Sequence, residues 1–143
     1  MDSMDRLCVV IYETSDSIKK TLHDVLAAHA IRQDAEVIIQ WLKTPLAEKA
    51  ICNACAEAQL AFVNAEDADK ALLIGGLLHQ TNPECRLVFY ANAVPQENAD
   101  TVRYFAGLMP SRPIRYLHQP SFQDFSDTLS DFSTEAASQK HFL

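Results

Sequence analysis

The chain has 143 residues with 48% apolar and 22% charged side chains, a length and composition that fit one globular domain with a proper core. Nineteen acids against 12 Lys and Arg give a net charge of −7, a poor surface for DNA or RNA. Only three glycines occur (Gly75, Gly76 and Gly107); none of their spacings makes a G-x-G-x-x-G or G-x-x-x-x-G-K pattern, so a glycine-rich nucleotide loop is excluded.

Arg6–Tyr12 (RLCVVIY) is a short, nearly continuous apolar run of β-branched type, as expected of a strand buried on both faces. Thr14-Ser15-Asp16-Ser17 then offers helix-cap chemistry before Ile18–His29, where Ile18, Leu22, Val25 and Leu26 recur at helical spacing. Ala35–Leu42 (AEVIIQWL) is a second strand, on which Trp41 is expected to pack under a helix. Thr44-Pro45 reads as an N-cap with Pro at the first helical position, opening a helix over Leu46–Ala58.

Cys52 and Cys55 sit late in that helix. A reactive thiol pair needs a helix N-terminus to lower its pKa, and zinc needs further ligands at fixed spacing. The remaining Cys and the five His residues are scattered singly, so the pair is read as structural first and as a thiol sensor second.

Gln59–Val63 is a third strand, ending at Asn64. Ala65–Asp69 (AEDAD) is a loop whose acids, Asp67 and Asp69, suit the start of a helix over Lys70–Gln80. Asn82-Pro83-Glu84 turns the chain into a fourth strand, Arg86–Ala91. Val94–Met109 carries Val102, Phe105 and Leu108 on one helical face, and Pro110 and Pro113 break it. Ile114–His118 is a fifth strand, and Phe122–Phe132 a fifth helix with Phe122, Phe125, Leu129 and Phe132 on one side.

Strand and helix alternating five times call for a five-stranded parallel sheet, doubly wound, with helices on both faces in a three-layer sandwich. The domain is expected over residues 5–132, with 133–143 a tail or linker stub. No run of 18–20 apolar residues is present, and the N-terminal MDSMDR lacks the features of a secretory signal. The expectation is a cytoplasmic protein with no membrane contact.

Four segments in this order resemble the receiver domain of bacterial response regulators, the LytTR-type group above all. "VVIYETSDSIKKTL" stands where that family has a strand ending in an acidic pair, and "LAFVNAEDA" where it has the phosphoacceptor strand and loop. "TNPECRLVFYANA" is similar to its N-P-x-x-[KR] strand, and "GLMPSRPIRYLHQP" to its closing Y-L-x-K-P segment.

The resemblance implies a pocket at the carboxyl ends of the strands, and this sequence departs from it at most positions. The phosphoacceptor aspartate falls on Asn64. The acidic pair that holds Mg²⁺ falls on Glu13 and Thr14. The phosphoryl-binding Thr or Ser falls on Ala91, and the family's Lys before the Pro on Gln119, while the switch aromatic is present as Tyr116. An amide is a weak nucleophile, one carboxylate holds Mg²⁺ poorly, Ala91 offers no hydroxyl and Gln119 no charge.

These changes imply a degenerate pseudo-receiver with no metal or cofactor, acting by docking. Each residue also has a plain reading. Asn64 could make a strand-end turn, Glu13 could bond to Thr14 or Gln119 or keep a weak cation, and Tyr116 could be a half-buried strand aromatic.

By resemblance the docking face joins the fourth helix, fifth strand and fifth helix. Its charges, Arg103, Arg112 and Arg115 against Asp124 and Asp127, suit a homodimer or a protein partner. The alternatives are a conventional phosphorylated receiver controlling transcription through a DNA-binding domain beyond residue 143, a thiol sensor on Cys52/Cys55, or a small-ligand pocket in the vacated site.

Overall fold

Alternation of side chains along the strands divides the interior into two apolar layers, one on each face of the sheet. The computed structural model describes residues 5–91 and 114–141. Five strands, β1 (Asp5–Tyr12), β2 (Ala35–Leu42), β3 (Leu60–Asn64), β4 (Arg86–Ala91) and β5 (Ile114–His118), form one parallel sheet in the order β2-β1-β3-β4-β5. Four helices are found among the described residues: α1 (Asp16–Gln33), α2 (Glu48–Cys55), α3 (Ala68–Thr81) and α4 (Phe122–His141). The helix expected over Val94–Met109 lies outside the described residues.

Val10, Tyr12, Ala61, Val63, Leu87 and Phe89 face α2 and α3, where they meet Ile51, Cys55, Ala71, Ile74 and Leu78. On the other face Leu7, Val9, Ile11, Leu60, Phe62, Val88 and Tyr90 pack with Leu22, Val25 and Leu26 of α1 and with Phe125 and Leu129 of α4. Phe125 meets the rings of Phe62 and Tyr90 edge-on, at centroid distances of 5.6 and 5.3 Å. Trp41 packs at the margin of the α1 and α4 layer, as its strand position suggested.

Several boundaries differ from those read in the sequence. Pro45 is not at the first turn of α2: Thr44–Pro45 is a cis peptide in the preceding loop, and the helix starts at Glu48 after Ala47. The same helix ends at Cys55, short of the Ala58 expected. Asn82 Nδ2 donates to the carbonyl of Cys55 at the helix end, which also accepts from Ala58 N–H, and to the carbonyl of Ala58 just beyond, at 3.0 and 2.7 Å.

Helix α4 does not end at Phe132 but continues to His141, so the expected tail or linker stub over 133–143 is helical as far as His141. Ser121 and Asp124 start it reciprocally: Ser121 N–H donates to Asp124 Oδ2, and Asp124 N–H to Ser121 Oγ.

His29 of α1 is buried against α4, with Nε2 3.5 Å from Ser133 Oγ and Nδ1 without a hydrogen-bond partner. Burial, reinforced by the Arg32 charge, holds its pKa below the ordinary imidazole value. The neutral ring is therefore the folded form, and the unfolded chain takes up the proton first. Stability is full above about pH 6.5 and declines as pH falls through that value toward the lower folded pKa. The urea midpoint should drop from about pH 7 to about pH 5, and His29→Leu should flatten that limb of the profile.

Candidate functional site

The period of two also decides which polar groups meet at the carboxyl edge of the sheet. Glu13 continues the Val9, Ile11 series just beyond β1, on the face toward α1 and α4. Asn64 ends β3 on the same face, and Tyr90 stands directly beside it in β4. All three are buried, with Glu13 only 2% exposed.

A buried carboxylate is tolerable only when its lone pairs are matched, and four donors converge on Glu13. Oε1 accepts from Asn64 Nδ2 at 2.9 Å and from the Tyr90 hydroxyl at 2.7 Å. Oε2 accepts from the backbone N–H groups of Thr14 and Ser15 at 2.9 and 2.8 Å. Burial and the Glu13 charge push the Tyr90 phenol far above its usual range, so it stays protonated and donates.

Asn64 is fully engaged. Its second Nδ2 hydrogen reaches the exposed Glu66 carboxylate at 3.2 Å, and its Oδ1 accepts from Glu66 N–H at 2.8 Å. The turn reading of this residue holds: its oxygen receives the N–H two residues on, while its nitrogen joins it to Glu13.

Tyr90→Phe removes one hydrogen bond to a charged acceptor while keeping the ring against Phe125. It should cost about 2 kcal/mol in chemical denaturation, with the fold unchanged by circular dichroism.

The other residues singled out from the sequence sit as follows. Thr14 contributes its backbone N–H; its side chain is exposed, and Ser15 is the N-cap of α1 without a side-chain cap bond. The local capping expected of Thr14 to Ser17 is thus replaced by Glu13 receiving the turn's amides. Ala91 is buried at the end of β4, and its carbonyl accepts from Gln119 N–H at 2.8 Å. Gln119 is exposed in a left-handed conformation (φ 47°), and the Glu13 carboxylate bonds to the Thr14 turn, not to Gln119.

Tyr116 packs partly buried against the α2 and α3 layer, with its hydroxyl enclosed and without a hydrogen-bond partner. Asp67 caps α3 by accepting from Lys70 N–H, as its position suggested. Arg115 pairs with Asp131 at 2.8 Å, Asp124 caps its own helix and Asp127 accepts from Gln123. Arg103 and Arg112 lie outside the described residues.

Cys52 and Cys55 occupy the last turn of α2 as free thiols. Burial, with the neighbouring Cys52, pushes the Cys55 pKa up to about 11. At neutral pH that thiol stays protonated, the unreactive form. Among the described residues no group of three or more His, Cys, Asp and Glu could hold a metal ion, and no helix is long and apolar enough to cross a membrane.

Sequence reasoning missed Tyr90 and Glu66. Tyr90 had a usable signal, since a tyrosine in a strand buried on both faces needs a partner for its hydroxyl. Glu13 and Asn64 were the polar residues at neighbouring strand ends available to supply one.

A scan against protein-family profiles finds no match, and no curated protein matches the sequence. Among solved structures, the chain is similar to one described as a flavodoxin from the domain Archaea. That similarity has 12% identity and a TM-score of 0.50, over 91% of this chain and 99% of the other. The likeness is one of fold: the chain has a flavodoxin-like α/β architecture, which receiver domains share. The strand order agrees, since 2-1-3-4-5 is the order of that class.

Proposed function

We propose that this chain is a receiver-like interaction module that signals by docking to a protein partner or to a second copy, and accepts no phosphoryl group. The observation that carries the reading is the state of Asn64. The position that would need an ionised nucleophile holds an amide with both hydrogens and its oxygen engaged. The supporting parts of a phosphotransfer site are missing with it. Ala91 has no hydroxyl, Gln119 has no charge, and the Glu13 carboxylate already accepts four hydrogen bonds.

Docking through β5 and α4 is supported by exposed charge on that face. The Arg115 and Asp131 side chains are 42% and 58% exposed, and surface pairs of this kind exchange partners at little cost. On this reading the chain is not an enzyme, and it carries no nucleic-acid surface of its own.

The test is incubation with acetyl phosphate and Mg²⁺, followed by intact mass and by sizing at low and high salt. The expected result is an unmodified chain whose association, where present, weakens as salt rises. Stoichiometric phosphorylation would overturn the reading.

A further inference from the structure

In an open sheet of this order, ligands lie in the crevice beyond the carboxyl ends of β1 and β3, where the chain connections diverge. Flavodoxins hold flavin mononucleotide at that point. A ligand phosphate in such a place is received by backbone N–H groups at the turn entering a helix. Here the turn entering α1 offers the N–H groups of Thr14 and Ser15, and both donate to Glu13 Oε2. The other carboxylate oxygen holds Asn64 Nδ2 and the Tyr90 hydroxyl, and the whole group is 2% exposed.

A phosphate brought to the same amides would have to drive the Glu13 charge into the apolar layer below, or lie against it. Glu66, on the rim beside Asn64, adds a second negative charge. The residues present therefore do not fit a phosphate-bearing cofactor.

We infer that Glu13 is a built-in anion standing in the place of a ligand's phosphate, which closes this crevice to flavin mononucleotide and to other phosphate-bearing ligands. The inference goes beyond the docking reading, because a chain that bound flavin could still refuse phosphorylation.

Glu13→Ala provides the test, since it removes a CH₂–COO⁻ fragment, the heavy atoms of acetate. The wild-type chain should leave flavin mononucleotide fluorescence unquenched, and its melting temperature should ignore both acetate and inorganic phosphate. Glu13→Ala should melt lower, and excess acetate should restore about 3 °C or more, while neutral acetamide should not. Should the variant be unfolded at room temperature, acetate-dependent recovery of its near-ultraviolet circular dichroism reads the same effect.

Stoichiometric quenching of the flavin by the wild-type chain would overturn the inference. So would a variant indifferent to acetate, or one that responds equally to acetamide.

Discussion

Asn64→Asp, the change that restores a carboxylate at the end of β3, should destabilise the protein by about 4 kcal/mol at neutral pH. The side chain is nearly isosteric, so packing is not the cause. The amide nitrogen donates to Glu13 and to Glu66. Replacing it with a second anionic oxygen removes two donated bonds and sets a like charge against a buried one.

The like charge raises the folded pKa of the new carboxyl above its unfolded value. Its protonated form is then favoured in the folded state, and the deficit relative to wild type should shrink as pH falls toward about 4. Urea denaturation of both proteins across that range measures it. An Asn64→Asp chain as stable as wild type at neutral pH would mean that Glu13 does not carry the charge assigned to it.

Glu13→Gln should cost about 3 kcal/mol. The amide keeps the length of the side chain but accepts on one arm only. With its oxygen toward Thr14 and Ser15 N–H, its nitrogen faces the Asn64 Nδ2 donor and the Tyr90 hydroxyl. Turned the other way, it faces the two backbone amides. Either orientation sets donor against donor in a site closed to water, and Tyr90 can relieve only its own share by reversing its hydroxyl. The expected signature is non-additivity: Glu13→Gln combined with Tyr90→Phe should cost less than the two single changes together, because both break the bond to Oε1. Additive losses would show that the two groups are not coupled.

The strands were legible because they are short apolar runs bounded by turn chemistry, and a strand's side-chain period leaves little freedom in placing them. Ala35–Leu42, Arg86–Ala91 and Ile114–His118 fall at the bounds read from the sequence. Glu13 and Asn64 could also be located, since each is the first polar residue after a buried run.

What escaped were interactions between segments far apart in the chain. The carbonyl at the end of α2 is met by the Asn82 side chain, 27 residues beyond Cys55, and local propensity carries no trace of that. Pro45 suited a first helical turn by type, yet it lies in the loop ahead of Glu48. The polar C-terminal residues beyond Phe132 show no apolar stripe, and their helix follows from continuation of α4. Tyr90 was hidden by a plausible alternative, because an aromatic in a buried strand is ordinarily core.

The net charge of −7 likewise changes meaning beside the structure. One acid, Glu13, is internal and matched by four donors, while Asp67 and Asp124 serve at helix starts. None of these requires a cation.

At the carboxyl edge of the sheet the polar groups satisfy one another, which on the proposed function leaves no place for a phosphoryl group. Thermal denaturation of the wild-type chain with Mg²⁺ and beryllofluoride, a phosphoryl mimic, tests it most directly. The melting temperature should stay unchanged by the mimic at any concentration. A saturable rise that requires both Mg²⁺ and beryllofluoride would contradict it.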